Sequence, residues 1–161
     1  MVNEVKMEEI HKEIDLIHDC IKRMANNSFM LKGWIITLYA VILGLLPEKI
    51  NIWLLCGTLI TITVSFWYLD AFYLRTERIY RKMYEWVLKE RSEGNRELLY
   101  NLNPKNFKNK IEEVDSICKI MFSVTLRCFY GIPIIFVLII MGFSAVQHLG
   151  STFIIINNII Y

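Results

Sequence analysis

The fold of this chain is decided by three apolar runs, FMLKGWIITLYAVILGLL at 29–46, IWLLCGTLITITVSFWYL at 52–69 and CFYGIPIIFVLIIMGFSAV at 128–146. The second run has eighteen consecutive residues without a charge, and the third has nineteen. A helix needs roughly 20 such residues to cross a hydrocarbon core about 30 Å thick. These two runs therefore predict membrane-spanning helices. The third span is predicted over 117–146, since most residues at 117–127, just before the third run, are also apolar.

The first run is interrupted by Lys32, which leaves fourteen uncharged residues behind it, at 33–46. Alone, such a stretch is equally typical of a buried core helix. It lies five residues from another apolar run, however, and we interpret the two together as a transmembrane hairpin over 29–69. Lys32 would then extend its ammonium group to the interface.

Positive charge is distributed unevenly along the chain. Of eighteen Lys and Arg residues, five lie in 1–32 and eleven in 71–119, whereas 147–161 contains none. Cytoplasmic segments of membrane proteins carry the excess of these residues. We therefore predict a multi-pass protein of the cell inner membrane with a cytoplasmic N-terminus and an external tail at 147–161. A net charge of +2 is too small to indicate direct binding to nucleic acid.

The segment before the hairpin, 1–28, has an apolar stripe at heptad spacing. Its positions are Met7, Ile10, Ile14, Ile17, Ile21, Met24 and Ser28. Such a stripe is typical of an oligomerising coiled coil. It is equally typical of an amphipathic helix that packs against the rest of its own cytoplasmic bundle. The pattern alone leaves both interpretations open.

The second span is predicted to continue as one helix from 52 to 91, because no Gly or Pro follows it until Gly94. A turn around Pro104 comes next, and a helix is expected to restart at Asn109 and run into the third span. Together with the N-terminal helix, the region 70–116 would form a cytoplasmic helical bundle. The expected fold is all-α, with three transmembrane helices. The last ten residues would either return onto the membrane or pair with a neighbouring subunit.

Residues that could perform catalysis are sparse. The histidines His11, His18 and His148 are not spaced as a set of metal ligands, and the four cysteines form no CxxC pair. No glycine-rich phosphate loop is present, and no nucleophile has a base at a recognisable offset. The sequence therefore predicts no catalytic site, no metal site and no cofactor, and it does not indicate an enzyme.

Three hydroxyl residues of the second span, Thr58, Thr61 and Ser65, share one helix face, and Gly57 lies beside them. Small and hydroxyl residues at this spacing allow close approach between helices. The same face could line a narrow polar pathway if several subunits gather. Helix packing and pore lining both remain candidate roles.

Charged residues lie where the second and third spans leave the bilayer. They are Asp70, Arg75, Glu77, Arg78, Arg81 and Arg127. The spacing of Asp70, Glu77 and Arg81 places them on one face, which we expect to meet Arg127 or a neighbouring subunit. Lys32 is the competing partner for Asp70. We hypothesise that this face couples the cytoplasmic helices to the spans, while Arg75 and Arg78 meet anionic headgroups.

The stretch FWYLDAFYLRTERIYRKMY at 66–84, which follows a short transmembrane hairpin, resembles small multi-span bacterial membrane effectors. These effectors are found beside nucleotide-signalling and CRISPR antiviral operons. The resemblance covers about residues 24–90 and implies membrane disruption or pore opening that stops an infected cell. Nothing in the chain resembles a nucleotide-binding domain, so the resemblance implies that a soluble cytoplasmic partner does the sensing.

Two functions from different classes are consistent with these observations. The first is a homo-oligomeric membrane effector or pore, gated by a cytoplasmic partner and active in antiviral defence. The second is a non-conducting membrane scaffold or sensor that recruits a soluble partner to its cytoplasmic helices. In both cases the lipid bilayer is a partner of the protein.

Overall fold

The structure is a computed structural model that describes the backbone of residues 2–45 and 51–160 and the side chains of residues 7–45 and 51–150. Its elements, in chain order, are α1 (Val2–Gly44), α2 (Ile52–Ser92), a 3-10 helix (Pro104–Phe107), α3 (Ile117–Met121) and α4 (Val124–Ile160). Helix accounts for 83% of the residues, and the described residues contain no strand. The predicted all-α fold is therefore confirmed.

Among the described residues, three helices are long and apolar enough to cross a membrane. These segments are Met7–Gly44, Ile52–Ser92 and Val124–Gly150. They agree with the three predicted spans and are compatible with a multi-pass membrane protein. The predicted hairpin tip between the first two lies largely outside the described residues.

The helix α2 is unbroken from the apolar run into the charged region that follows, as the sequence predicts. Its 41 residues extend about 60 Å at about 1.5 Å per residue. Asn51 caps the first turn, because its side chain accepts hydrogen bonds from the backbone N–H groups of Trp53 and Leu54. The helix ends at Ser92, and Gly94 then adopts a left-handed φ of +84°. Glycine takes this conformation without steric cost, which explains the termination.

α1 and α2 lie side by side in opposite directions, and three apolar clusters hold the bundle together. The distal cluster, where α1 begins and α2 ends, contains Ile17, Ile21, Met83, Val87 and Phe107. The middle cluster contains Ile35, Ala71, Ile120, Leu126 and Tyr130. The hairpin-end cluster contains Leu55, Cys56, Leu59 and Val137. α4 therefore packs against the apolar half of the α1–α2 pair, and the 3-10 helix packs against the charged half.

The heptad stripe of α1 packs within the chain. Ile17 and Ile21 are buried against α2 in the distal cluster, and Ile10, Ile14 and Met24 are half-buried. Of the two interpretations of the stripe, the structure favours packing inside the subunit. The stripe therefore gives no separate support for an intermolecular coiled coil.

The expected helix restart at Asn109 is wrong. The chain is irregular from 111 to 116, and helix resumes only at α3, after which a break at 122–123 precedes α4. Phe107 is fully buried and accepts hydrogen bonds through its carbonyl from the N–H groups of Lys110 and Ile111, which closes a turn. Tertiary contacts from α2 then hold Asp115 at the start of α3, and they override the local helical pattern.

α4 does not end at residue 146, where the third span was predicted to end. Its backbone remains helical through 147–160. The predicted membrane return or subunit pairing of the last ten residues depends on side chains that lie outside the described residues.

Candidate functional site

Three helices meet at a buried carboxylate, Asp70 of α2, whose side chain is 0% exposed. The Nζ atom of Lys32 in α1 lies 2.5 Å from Asp70 Oδ2. The hydroxyl of Ser28, also in α1, donates to Asp70 Oδ1. The hydroxyl of Tyr130 in α4 donates to Oδ2 at 3.0 Å. We call these four residues the Asp70 junction.

The sequence places two of the four residues together without help from tertiary structure. Ser28 and Lys32 are four apart in α1, so they lie one above the other on the same face. Lys32 Nζ also donates to Ser28 Oγ at 3.0 Å and to the Ser28 carbonyl at 3.3 Å. The lysine is thus directed along its own helix to Asp70, rather than outward to the interface as the sequence suggested.

The charges of the junction are balanced and hydrogen-bonded. Removing a carboxylate and an ammonium from water costs several kcal/mol for each ion, and good geometry with additional hydrogen bonds offsets that cost. Asp70 accepts from one ammonium and two hydroxyls, so its charge is well satisfied. The junction is therefore a polar link between helices, and loss of either ion would leave the other unpaired.

Aromatic packing fixes the tyrosine of the junction. The rings of Trp67 and Tyr130 are stacked, with centroids 6.1 Å apart and planes inclined by 13°. Trp67 Nε1 also donates to the Met121 carbonyl at 2.9 Å. Because Met121 ends α3, this one tryptophan of α2 holds both the ring that reaches Asp70 and the connection that precedes α4.

A second polar link between α1 and α2 lies nearer the hairpin. The Tyr39 hydroxyl is hydrogen-bonded to the Thr63 hydroxyl, and Thr63 is buried. Thr63 also donates to the Leu59 carbonyl at 2.6 Å. Thr63 was not predicted as a site residue, although the apolar residues four and eight places away from it indicate that its hydroxyl lies on the packed face.

The three predicted hydroxyl residues lie on the opposite face of α2. Thr58, Thr61 and Ser65 are exposed, and each donates to the carbonyl four residues earlier in its own helix, at 2.8–2.9 Å. They contact neither α1 nor α4 through these hydroxyls. Together with Trp53 and Gly57, two of them line an open groove of about 400 Å³ on the outer surface. Packing and pore lining between subunits therefore both remain geometrically possible for this face.

The predicted pairing of Asp70 with Arg127 is wrong. Leu126 and Tyr130 are four apart and form the buried face of α4, so the adjacent Arg127 points away and is exposed. Within the described part of the chain, Arg127 makes no ion pair. Lys32, the competing partner, is the residue that meets Asp70.

The other predicted coupling residues are satisfied locally. Glu77 is buried and pairs with Arg81, whose Nε lies 2.5 Å from Glu77 Oε1. Arg75 Nε donates to the Asp115 carbonyl at 3.0 Å, and Arg78 Nη1 lies 3.5 Å from Asp115 Oδ2. These two arginines hold the segment that leads into α3.

The carboxylates of that segment have lowered pKa values. A hydrogen bond from Lys119 holds the pKa of Asp115 below its usual range. A hydrogen bond from Lys82 does the same to the pKa of Glu112. Both groups therefore stay ionised at neutral pH and remain available to their cationic partners.

A second buried ion pair, between Glu13 of α1 and Arg91 of α2, was not anticipated. The two side chains are 2% and 3% exposed. Arg91 Nε donates to Glu13 Oε2 at 2.7 Å and Nη2 donates to Oε1 at 2.9 Å, a bidentate arrangement. One signal was available in the sequence, because Arg91 follows Met83 and Val87 at four-residue spacing on the apolar face of α2.

The loop after α2 closes over this ion pair. Arg91 Nη2 donates to the Glu97 carbonyl at 3.1 Å, and the backbone N–H of Tyr100 donates to Glu13 Oε1 at 2.9 Å. Leu98 and Tyr100 have φ values of +55° and +59°, which are uncommon without glycine. Such strain persists only where the surroundings over-determine the backbone. We call the ion pair and this loop the Glu13 clamp.

Among the described residues, no group of three or more His, Cys, Asp or Glu side chains is arranged to hold a metal ion. The Asp70 junction and the Glu13 clamp are the polar features that connect separate helices most extensively. No protein-family model, no curated protein and no solved structure matches this chain.

Proposed function

We propose that this protein is a homo-oligomeric effector of the inner membrane that opens a pore when a soluble cytoplasmic partner acts on its helices, in antiviral defence. The observation that supports the proposal best is the Asp70 junction. It joins α1, α2 and α4 at the point where the apolar run of α2 ends and its charged half begins. A signal received by the charged half has a direct physical route to all three spans through this point.

The length of α2 and its contacts with α1 would allow a displacement at the distal end to reach the spans. With 52–69 in the bilayer, the remainder of α2 extends about 33 Å into the cytoplasm at about 1.5 Å per residue. The Glu13 clamp and the distal cluster hold α1 to α2 over that length. A partner that displaces the distal end therefore moves α1 and α2 together, and the junction passes the motion to α4.

Opening of the pore would depend on the outer face of α2. Thr58, Thr61 and Ser65 lie outside the packing of the single chain, beside Gly57, which has open space around it. In an oligomer this face would form contacts between subunits or line the pathway. The same chain otherwise exposes mostly apolar side chains along its spans.

The alternative is a non-conducting scaffold or sensor that recruits a soluble partner. One observation favours it. The hydroxyls of Thr58, Thr61 and Ser65 are already bonded to carbonyls of their own helix, so this face is tolerated in lipid without a second subunit. A stable single bundle in the membrane would suffice for this role.

Membrane depolarisation in bacterial cells separates the two functions. High expression favours assembly by mass action, so it tests conduction without the unknown partner. Gly57→Leu is accommodated inside the chain, since nothing lies within 4 Å of the added Cβ, but it blocks close approach from outside. Gly142→Leu in α4 is the matched control, with equally open space.

We expect the native chain and Gly142→Leu to depolarise cells and Gly57→Leu to insert normally without depolarising them. If the native chain reaches the membrane in quantity and the potential is unchanged, a pore that assembly alone can open is excluded, and the scaffold function is favoured. Equal depolarisation by all three chains would remove the α2 face from the proposal.

A further inference from the structure

A cleft of about 370 Å³ opens beside α2 on the charged side of the Asp70 junction. Three basic residues line it, and its apolar wall includes Ile79, Ile111 and Val114. The basic residues are Arg75, Lys105 and Lys108. The cleft lies between α2 and the irregular segment that connects the 3-10 helix to α3, so two separate parts of the chain form its walls.

The positive charge of this cleft is not neutralised by the protein. In the described part of the chain, Lys105 and Lys108 form no ion pair, and Arg75 uses only Nε, which donates to a backbone carbonyl. Of the two acidic residues at the rim, Glu112 is paired with Lys82 at 2.9 Å. Three cations thus face one carboxylate without a partner, Glu113, which leaves an excess of two positive charges for a ligand.

The depth of the cleft follows from the helix rise. Arg75 lies five residues beyond Asp70, or about 7.5 Å along the axis, and Ile79 lies about 13.5 Å beyond it. The polar layer of a bilayer extends roughly 5–8 Å beyond the hydrocarbon on each side. If Asp70 marks the hydrocarbon boundary, the Arg75 end of the cleft opens at headgroup depth, and the Ile79 end lies beyond the polar layer.

We propose that this cleft binds the phosphate-bearing headgroup of an anionic phospholipid. Arg75, Lys105 and Lys108 would contact the phosphate of a headgroup that enters from the Arg75 end of the cleft. The inference rests on the membrane placement in the proposed function and adds a lipid partner to it. A lipid seated here would contact α2 and the segment leading to α3 at once, and it would brace the connection that holds α4.

The test measures which lipids the whole protein retains. The native chain is incorporated into nanodiscs of an equal mixture of phosphatidylcholine and phosphatidylglycerol, and bound lipids are counted by native mass spectrometry after release. The variant is Lys105→Gln/Lys108→Gln, which leaves the bond from Arg75 intact. The control is Lys12→Gln/Lys89→Gln, which removes the same charge from exposed lysines elsewhere on α1 and α2.

We expect the native chain and the control to retain phosphatidylglycerol in preference to phosphatidylcholine. The cleft variant should retain about 30-fold less, since each basic residue near an anionic surface contributes about fivefold in affinity. Equal loss in the control would show diffuse attraction and overturn the site. Absence of lipid preference in the native chain would also overturn it. Unfolding is monitored for all chains, so misfolding is not mistaken for lost binding.

Two further measurements distinguish a lipid from a soluble phosphate as the ligand, and the lipid site from the proposed pore. Millimolar glycerol 3-phosphate should not displace the retained lipid, and displacement would assign the cleft to a soluble phosphate and refute the lipid. No conduction is measured in this experiment. Retained lipid without depolarisation in cells would therefore contradict only the pore, whereas depolarisation without lipid preference would contradict only the cleft.

Discussion

Replacing Asp70 by Asn is the sharpest test of how the junction stabilises the bundle. The amide keeps the shape of the carboxylate: its oxygen can still accept from one of the two hydroxyls, of Ser28 and Tyr130, and its NH2 group can donate to the other. It cannot balance the charge of Lys32, whose side chain is 24% exposed. Leaving one member of a buried pair unpartnered costs about 3–5 kcal/mol. Since the lysine retains some access to polar surroundings, we expect a loss near 3 kcal/mol for Asp70→Asn.

The double variant Asp70→Asn/Lys32→Gln removes both charges and keeps two amides that can bond to each other. Replacing both members of a buried pair is often close to neutral. The double variant should therefore lie within about 1.5 kcal/mol of the native chain. The two losses would then not be additive, and the difference measures the coupling between Lys32 and Asp70.

The assay is reversible unfolding of the purified protein in mixed micelles, followed by tryptophan fluorescence, to which Trp67, stacked on Tyr130 beside the junction, contributes. Conduction in cells is measured on the same variants, and Asp70→Asn should abolish it while insertion and assembly persist. The reasoning is refuted if Asp70→Asn changes the unfolding free energy by less than about 1 kcal/mol. It is also refuted if the losses from the two single variants simply add.

Three further predictions follow from other contacts. Arg127→Gln should change the unfolding free energy by less than about 0.5 kcal/mol in the same titration, because the residue is exposed and makes no ion pair with a described residue. Glu13→Gln should cost about 3–5 kcal/mol by leaving Arg91 buried and unpaired, and hydrogen exchange should increase in the loop at 95–101. Asp115→Asn should flatten the dependence of the unfolding free energy on pH below about pH 4. Lys119 lowers the pKa of Asp115 in the folded state. The stabilisation by Asp115 is therefore present above its unfolded pKa of about 3.9 and is lost as the pH falls through its folded pKa.

The parts of the fold that the sequence predicted best are those fixed by local chemistry. The bounds of α2 were anticipated to within one residue, since no Gly or Pro lies in 70–91 and Gly94 then supplies the left-handed turn. The second and third apolar spans follow from the lengths of their uncharged runs, and the first follows from its place beside the second. The broken segment before α3 was not anticipated, because buried Phe107 and contacts from α2 decide its conformation.

The partners of the buried charges depend on how the helices are rotated against each other. The sequence offered two candidate cations for Asp70. The rotation of α1 and α4 about their axes decides between them, because it brings Lys32 to Asp70 and leaves Arg127 exposed. The Glu13–Arg91 pair joins residues 78 apart, and no local spacing predicts such a contact. The heptad stripe has the same period whether its partner is another chain or α2, so the pattern could not decide between them.

The two ion pairs together also fix how α1 and α2 are aligned lengthwise. Glu13 and Lys32 are separated by about 29 Å along α1, and Asp70 and Arg91 by about 32 Å along α2. Sliding one helix past the other by a single turn, about 5.4 Å, would break both pairs at once and leave four buried charges without partners. The register of the hairpin is therefore locked. Any large rearrangement of the spans must be a tilt of this two-helix unit as a whole, with α4 moving against it.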